Sequence, residues 1–542
     1  AFAGTAGGAG AGGAISLSID GSVLALGDGS IALFAQSAGS AGGGDISLML
    51  AAGGMIVGGT GGASVVFDGG AANQFANNGA VATLDGVDGL AVLGGAGDDI
   101  IVNNGAIVGD INLAAGANRL DNNTGATLLS GAVINLGDAT NLFTNDGLLM
   151  PFGEGRGGPT ALSGSFVQTA GAVSAFELDF DAHEVDSVLA TGTADIGGSL
   201  ELTFANTYAV RSGNHRKVLY SGALGLVDNG LSFTGQQSIV VTFAPLVVDA
   251  TSISLDYTAD FSPSGLVGNR IRIGEYINRA QENGGTGALN DTITALVAHV
   301  DLSAYSDALT QLGAEFFAEQ QVDALNGAQH FARAIESCGG RVNSVTIDSN
   351  GKCAWVSYEI DATSRRADQG FPDAEHEGVR FTSGAHYRFG DGVTVGVGVG
   401  YDNGDSSGYG GRWSADSRAL RLGAVARYEI GGATLGATLA LGETRYKSRR
   451  RIAVSDFATA ISERDISVLS GGLSASRRYD LGGFDVTPSL AFGAARLVVQ
   501  AFDEFGAGGE NLNVSKSGET HVWASPGVEI RRAFKVSNGL AL

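Results

Sequence analysis

Two short motifs in this sequence have residue types and spacings that could support chemistry. Gly404-Asp405-Ser406-Ser407-Gly408 fits the Gly-x-Ser-x-Gly pattern of serine hydrolases, in which a strand-turn-helix exposes the serine beside a histidine and an acid. Gly94-Gly95-Ala96-Gly97-Asp98-Asp99-Ile100 resembles one calcium-binding nonapeptide of a β-roll. One copy cannot build a calcium site that adjacent turns must share, so a plain corner of a repeat structure is the better interpretation.

The remaining metal-binding residue types are dispersed. The seven histidines form no His-x-x-x-His pair and the two cysteines form no Cys-x-x-Cys pair. We therefore predict no metal site, no cofactor and no enzymatic activity. Ser406 also lies between two predicted strands, without the following helix that a nucleophile elbow needs, which disfavours catalysis there.

Residues 353–542 contain the clearest structural pattern, a strict alternation of side chains over roughly eight segments. Val393, Val395, Val397, Val399 and Tyr401 share one face, whereas Thr394 and the three glycines between them share the other. Each segment is about as long as the 9–11 residues that a tilted strand needs to cross a bilayer. The pattern predicts an antiparallel outer-membrane β-barrel, and a soluble sandwich or propeller is the alternative.

The connections between these segments are expected to alternate in length. Long ones are predicted near 364–377, 403–413, 448–463 and 503–520, and short ones near 390–392, 431–432, 481–483 and 536–539. Because such barrels have short periplasmic turns and long external loops, the first strand should run outward.

The first half of the chain has a different composition. Gly accounts for 87 of the 542 residues with only seven Pro, and residues 1–260 hold 24 acidic against 5 basic side chains. An acidic surface argues against nucleic acid as a partner. Asn-Gly and Asp-Gly pairs recur, and Ile15-Ser16-Leu17 returns as Ile46-Ser47-Leu48, 31 residues later. Such repeats predict a parallel β-solenoid, with a disordered low-complexity region as the alternative.

Helical spacing is confined to residues of about 288–337. Apolar side chains recur at three- and four-residue intervals from Leu302 to Phe316, with Ser303 as the expected N-cap and Gly313 as the expected break. A mostly polar helix just before an outward-running first strand can occupy the wet lumen of the barrel.

Several of these segments resemble the autotransporters, which export a passenger domain and anchor it with a C-terminal outer-membrane β-domain. The segments are Asp186–Leu200, similar to the junction that closes many of their passengers; Ala304–Leu312, similar to their linker helix; and Phe331–Ile335 with Cys353–Val356, similar to the approach to their first barrel strand. The resemblance is good over residues 165–542 and loose over 1–165.

The resemblance implies a twelve-stranded barrel, of which about eight strands are present, so the sequence is expected to be truncated at both ends. It also implies a barrel in the outer membrane, a passenger at the cell surface, and partners among outer-membrane lipid, the barrel-assembly machinery, periplasmic chaperones and neighbouring or host cell surfaces. The junction, acting as a folding nucleus, is represented by Asp186, Leu189, Gly192, Gly197, Gly198 and Leu200.

The two cysteines lie 15 residues apart, between the last helix and the first barrel strand. Because disulfides persist in exported proteins, we predict a Cys338–Cys353 bridge, with two free buried thiols as the alternative. The bridge would tie the lumen helix to the barrel wall.

Strand parity assigns side chains to the two faces of the barrel. The outward aromatic residues expected at the membrane interfaces are Tyr387, Phe389, Tyr401, Tyr428 and Phe484. The expected lumen-facing residues are Arg421, Arg427, Glu429, Asp485 and Thr487. Trp355, Trp413 and Trp523 have inward parity and are expected at the rim or against the helix.

The complete prediction is an all-β protein of four parts: a glycine-rich solenoid passenger at 1–165, a passenger cap or junction at 166–260, a linker with lumen helices at 261–340, and an incomplete barrel at 341–542. The predicted function is export of a non-enzymatic, adhesin-like passenger. The alternatives are a hydrolytic passenger on the same translocator, or a porin-like barrel with a fused ectodomain.

Overall fold

A computed structural model describes residues 1–282, 285, 287–338, 344–349, 352–368, 371–390, 392–532, 535–536 and 540–541. The chain forms two compact units, Ala1–Ser264 with Gly274–Tyr305, and Gly265–Ile273 with Ser306–Leu542. The predicted linker, 261–340, is thus shared between the units. The predicted fold class is confirmed, since parallel sheets build the N-terminal part, antiparallel strands the C-terminal part, and helices lie between them.

The strands of the first unit are short, and all of them lie within described residues. They are β1 Phe2–Gly7, β2 Ile15–Ile19, β3 Ser22–Leu24, β4 Leu33–Gly39, β5 Ile46–Leu50, β6 Met55–Gly58, β7 Ala63–Gly69, β8 Ala72–Asn77, β9 Ala80–Thr83, β10 Leu90–Leu93, β11 Asp98–Asn103, β12 Ala106–Val108, β13 Asp110–Asn112, β14 Arg119–Asn122, β15 Thr127–Leu129, β16 Val133–Asn135, β17 Leu142–Asn145, β18 Leu148–Leu149, β19 Pro159–Ser163, β20 Ser165–Gln168, β21 Val173–Asp179, β22 Glu184–Val185, β23 Ser187–Ala190, β24 Thr193–Ile196, β25 Ser199–Ala205, β26 Gly213–Gly222, β27 Gly225–Asp228, β28 Ser232–Gly235, β29 Val241–Phe243, β30 Val247–Val248 and β31 Ser252–Ala259.

These strands wind into a three-faced parallel solenoid. From β1 to β28, nine successive coils each give one strand to each of three sheets, with β22 as an extra antiparallel strand beside β21. Ile15 pairs with Ile46 and Leu17 with Leu48, so the 31-residue sequence repeat is the register between neighbouring coils. The same sheets continue through residue 165 without a break. β31 then pairs antiparallel with β26 and ends the first sheet with β29 and β30.

The interior of the solenoid is a stack of apolar side chains. Along the second sheet, Phe75 lies beside Ile101, Leu120 follows, and Phe143 lies beside Phe166, whose ring centroid is 5.0 Å away. All five side chains are at most 1% exposed. Full burial of such a side chain stabilises the fold by about 1.5–3 kcal/mol.

A ladder of buried asparagines runs beside this apolar stack. Asn77 donates to the Oδ1 of Asn103 at 2.7 Å, Asn103 to Asn122 at 2.8 Å, and Asn122 to Asn145 at 2.8 Å. The four side chains are fully buried, and the second amide hydrogens of the first three bond to carbonyl oxygens of Ala106, Thr127 and Leu148. From the sequence, the recurring Asn-Gly and Asp-Gly pairs predict turns and do not indicate this ladder. The residue before each turn pair is the ladder asparagine.

Four helices follow the solenoid: α1 Asn269–Glu282, α2 Asn290–Val297, α3 Leu302–Leu312 and α4 Glu315–Glu336. Gly313 separates α3 from α4, as predicted. The predicted N-cap, Ser303, is wrong, because α3 begins at Leu302 and the Oδ1 of Asp301 accepts the backbone N–H of Ala304 at 2.9 Å. None of the helices in the described part of the chain has the length and apolarity needed to cross a membrane.

The second unit contains an antiparallel sheet dominated by eight long strands, the number predicted. They are β33, β34, β35, β36, β37, β38, β40 and β43 of the series β32 Ser344–Ser349, β33 Lys352–Arg365, β34 Ala374–Phe389, β35 Val393–Gly408, β36 Trp413–Ile430, β37 Ala433–Ala453, β38 Phe457–Arg477, β39 Tyr479–Asp480, β40 Asp485–Val499, β41 Phe502–Asp503, β42 Asn513–Val514, β43 Ser517–Arg531, β44 Lys535–Val536 and β45 Leu540–Ala541.

Two of the predicted long loops are strand instead. β35 runs on to Gly408 and β36 begins at Trp413, while β37 and β38 leave only residues 454–456 between them. The predicted loops at 403–413 and 448–463 are therefore wrong. Their composition is polar because the strands continue beyond the apolar band while keeping their hydrogen-bond ladder. The short turn at 431–432 and the long connection between β40 and β43 agree with expectation. Of the predicted turn at 536–539, residues 537–539 lie outside the described residues.

Candidate functional site: the helix-filled lumen

Helix α4 packs against one face of the barrel wall, which we call the lumen face, and touches β34 to β38 and β40. Near its C-terminal end the wall is made of glycine. A Cβ atom on Gly423 would come within 2.5 Å of Ile335 Cδ1, and one on Gly400 within 2.8 Å of Phe331 Cδ2. The glycines that alternate with outward valines are thus needed because the helix side chains occupy the space that their own side chains would fill.

The middle of the helix is held by polar groups of the wall. Gln320, 1% exposed, donates to Ser448 Oγ at 2.9 Å and accepts from Arg464 Nε at 2.7 Å. Arg464 also donates to the carbonyl of Phe317 at 2.7 Å and lies 4.7 Å from the centroid of its ring. Tyr446 donates to the Gln320 carbonyl at 3.0 Å. Bonds to a helix carbonyl and to a buried side-chain amide fix both the axial position and the rotation of α4.

Ser406 of the Gly-x-Ser-x-Gly motif contacts a histidine, which in turn contacts an acid on α4. His376 Nδ1 lies 2.9 Å from Ser406 Oγ, and His376 Nε2 lies 3.4 Å from Asp323 Oδ1 on α4. The motif, however, lies within β35 and not on a strand-turn-helix. The backbone of Ser406 pairs with both β34 and β36, so the serine lies within a continuous strand. The three residues therefore form a contact between the helix and the wall.

Arg421, predicted to face the lumen, is central to a charged cluster on the wall. It forms an ion pair with Asp402, which also accepts from Arg380 Nε at 3.2 Å. Arg380 reaches Asp361 at 3.1 Å, and both arginines are less than 10% exposed. The guanidinium of Arg421 fills the space beside Gly327 of α4 and would have to move if that residue carried a Cβ. A helix glycine and a wall arginine thus interlock.

At the N-terminal end of α4 the extended strands and the connection between β40 and β43 surround the helices. Arg450 and Glu504 form an ion pair with an Nε to Oε1 distance of 3.2 Å, at 5% and 1% side-chain exposure. Arg450 also donates to the carbonyls of Gln311 and Glu510. Phe316 packs on Trp413 with 5.5 Å between ring centroids. A buried ion pair is stable only when the remaining N–H groups of its arginine are also hydrogen-bonded, and these two carbonyls accept those bonds.

The C-terminal end of the helix is joined covalently to the wall. Cys338 and Cys353 form a disulfide, with 6.2 Å between their Cα atoms. His386 Nε2 lies 2.8 Å from the carbonyl of Ile335, the last turn of α4. Trp355 belongs to the same buried cluster as Phe331 and Ile335.

Of the other lumen-facing predictions, Arg427 interacts electrostatically with Glu336 at the end of α4, and the other three have different surroundings. Arg427 is half-buried on the same face as Arg421. Glu429 pairs with Arg388 at 2.9 Å near the short turns, and Asp485 pairs with Arg478. Thr487 is half-buried on β40. The residues that do hold the helix, Gln320, Tyr446, Arg450, Arg464 and Glu504, were missed, because most of them belong to segments interpreted as loops or to the unassigned polar face of α4.

The predicted interface aromatics are all exposed on the outward face of the wall. Tyr387 and Phe389 have ring centroids 4.5 Å apart and lie opposite Val395 and Val393. Tyr401 lies at the other end of β35, and Tyr428 lies opposite Val393. Phe484 lies beneath Arg532, whose guanidinium carbon is 4.6 Å from its ring centroid. Two levels of aromatic residues on either side of an apolar band are what a bilayer-spanning strand requires.

The predicted junction residues lie on one coil, made of β23, β24 and β25. Asp186 is fully buried and accepts the backbone N–H groups of Gly158 and Glu177, each at 2.9 Å. Burial raises the pKa of Asp186 to about 8, and the two N–H bonds oppose that rise. Leu200 is fully buried and Leu189 half-buried. Gly192, Gly197 and Gly198 occupy turns, with Gly198 at a φ of 74°. The six residues support the solenoid.

The Gly94–Ile100 segment forms a solenoid corner. Asp99 accepts from Asn73 Nδ2 at 2.7 Å and from the Gly95 N–H at 3.3 Å. Burial raises the pKa of the Asp99 carboxyl. Among the described residues, no three His, Cys, Asp or Glu side chains are grouped as metal ligands would be.

Comparison with known proteins finds a family-model match in the C-terminal part of the chain. Residues 354–542 match the family model described as the autotransporter beta-domain. A solved structure, the translocator domain of autotransporter NalP from Neisseria meningitidis, covers 41% of this chain and 73% of its own, at 15% identity and a TM-score of 0.34. No curated protein matches the chain.

Proposed function

We propose that this chain is an autotransporter whose β-domain includes residues 354–542 and whose solenoid is a non-enzymatic, adhesin-like passenger. The barrel lies in the outer membrane and the passenger is exposed at the cell surface. The observation that supports the proposal is the uninterrupted run of nine coils, whose interior is filled by apolar side chains and amide ladders. The exposed faces, which repeat from coil to coil, are therefore the surfaces that would bind other molecules.

His215 of the solenoid supports the same proposal. It stacks on Tyr257 with 4.8 Å between ring centroids, and its Nε2 lies 3.0 Å from the Arg211 carbonyl. The His215 imidazole thus contacts a tyrosine ring and a backbone carbonyl, not a serine hydroxyl.

Cells that display the full chain test the proposal. We expect them to sediment together and attach to polystyrene, and to lose both properties after brief surface proteolysis removes the solenoid. The same cells should hydrolyse p-nitrophenyl esters and fluorogenic peptides no faster than cells carrying the empty vector. Turnover that disappears with proteolysis would favour the hydrolytic passenger instead.

We also propose that α4 remains in the lumen after export and closes it, and that assembly uses the barrel-assembly machinery and periplasmic chaperones. The bonds of Gln320, Tyr446 and Arg464 to and from α4 support this, because they satisfy polar groups on both sides. Deletion of residues 315–336 should abolish export of the solenoid. In a porin with a fused ectodomain, the same deletion would leave export intact and raise conductance.

A further inference from the structure

The outward face of β35 to β38 changes from apolar to charged toward one end of the strands. Val399, Leu422, Leu441 and Leu469 lie directly opposite one another in consecutive strands. Four residues further along each strand, the same outward positions are Asn403, Arg418, Arg445 and Asp465. Because these ends of the strands lie on the side away from the short turns, this level is at the external surface of the membrane.

Two arginines lie directly opposite each other at this level. Arg418 on β36 pairs in register with Arg445 on β37, and directly opposed side chains in a sheet have Cβ atoms about 4.5–5.5 Å apart. Arg445 bonds Asp465 through Nε at 2.8 Å, whereas no ion-pair partner of Arg418 is found among the residues that the structure describes. Directly opposed like charges destabilise a sheet, and Asp465 offsets only the charge of Arg445.

The arginine pair lies at the outer end of a groove of about 1060 Å³. Its floor on the membrane side is formed by Leu420, Leu422, Leu441 and Leu469, each between 47% and 56% exposed. A groove that is apolar at the level of the acyl chains and cationic at the level of the headgroups is complementary to an anionic amphiphile.

Acidic residues in the same groove restrict what can bind. Glu443 lies next to Arg445 on the outward face, and Asp405 pairs in register with Asp416 one level further out. An extended polyanion would meet these carboxylates. A single compact anion beside Arg418 and Arg445 would meet fewer carboxylates, namely Glu443 and the Asp465 that already pairs with Arg445, and a guanidinium pair binds phosphate oxygens with good geometry.

We propose that this groove binds one phosphorylated lipid of the outer leaflet, with its phosphate between Arg418 and Arg445 and an acyl chain along the leucines. The proposal rests on the outer-membrane location of the barrel and is independent of what the passenger does. The lipid would fix the depth of β36 and β37 in the bilayer.

Native mass spectrometry of the full chain, extracted in detergent, tests this with bis-phosphorylated lipid A as the probe. We expect one lipid bound per wild-type chain, and about fivefold to tenfold weaker binding for Arg418→Gln, which loses one surface cation. Arg449→Gln is the matched control, because Arg449 is also outward on β37 but lies two levels further from the leucines, opposite Ser414. That control should bind like the wild type.

Three results would overturn the proposal. They are equal binding by Arg418→Gln and the wild type, equal binding of a fully dephosphorylated lipid A, and competition by inorganic phosphate at the concentration of the lipid. The second would mean apolar contact alone, and the third a plain anion site. Because Arg418 is exposed, the variant should keep the heat-modifiable migration of a folded barrel, which is checked on the same sample.

Discussion

Removal of one ladder asparagine should destabilise the solenoid far more than removal of its neighbour in sequence. The Asn103 side chain is fully buried and makes four hydrogen bonds: to Asn122 and the Thr127 carbonyl as donor, and from Asn77 and the Gly105 N–H as acceptor. At about 1 kcal/mol net for each, Asn103→Ala should lower the free energy of unfolding by about 4 kcal/mol.

Asn104→Ala is the matched control. The Asn104 side chain is on the outside of the same turn, where it donates to Asn78 at 3.0 Å and accepts from Asn123 at 2.6 Å in an exposed ladder. Water can replace both bonds, so the expected loss is under about 1 kcal/mol. The two variants remove the same atoms from adjacent positions and differ chiefly in burial.

Pulse proteolysis of the full chain across a urea series measures the difference. With a denaturant dependence of about 3 kcal/mol per molar urea for the solenoid, the midpoint should fall by about 1.3 M for Asn103→Ala and by under about 0.3 M for Asn104→Ala. Equal midpoints for the two variants would refute the ladder as a source of stability. The apolar stack alone would then hold the coils together.

Three further predictions concern the lumen, the disulfide and the junction. Gly423→Val should displace α4 and raise single-channel conductance, because its Cβ would lie 2.5 Å from Ile335 Cδ1. Gly472→Ala is the control and should conduct like the wild type, because its Cβ has no neighbour nearer than 3.4 Å. Equal conductance of all three proteins would contradict the close packing of α4 against the wall glycines. Cys338→Ser should lower the free energy of unfolding by about 3 kcal/mol, so the heat-modifiable shift in migration should occur at a lower temperature. A reductant should lower the transition temperature of the wild type to that of the variant and leave the variant unchanged. Because the pKa of Asp186 is raised to about 8 from 3.8, the folded solenoid holds a proton that the unfolded chain releases, so its stability should fall as pH rises from about 4 to about 8 and level off above that. Asp186→Asn should have a shallower fall between pH 5 and pH 8.5 in the same urea assay, and an unchanged slope would mean that the buried carboxyl is ionised throughout.

The sequence was most informative where side-chain periodicity and burial coincide. The valines of β35 alternate with small residues, and they are outward in the structure, with Gly396, Gly398 and Gly400 on the lumen face. The 31-residue repeat at Ile15 and Ile46 is the pairing register of β2 and β5. In both cases, the side-chain packing that selects the residues acts between positions that are close in sequence or separated by a fixed period.

Sequence reasoning was wrong or incomplete where the constraint came from a distant element. The ends of β37 and β38 look like a loop because they are polar, but Ser448 in that segment accepts a hydrogen bond from Gln320 of α4, 128 residues away in sequence. Helix α1 was missed because its buried face is Gly274, Ile277 and Gln281. Gln281 is buried by its bonds to the carbonyls of Tyr208 and Val210, which no local pattern reveals.

By itself, the sequence determined the two kinds of sheet, the outward aromatic levels and the cysteine pair, since each follows from strand parity, repeat period or position between elements. Only the tertiary structure decided that the Asn-Gly turns carry a buried amide ladder, that the strands extend beyond the apolar band, and that Ser406 contacts His376, which contacts helix α4. Those outcomes depend on which backbone and side-chain groups remain unpaired once distant segments meet, because a buried polar group must find its partner wherever the fold places one.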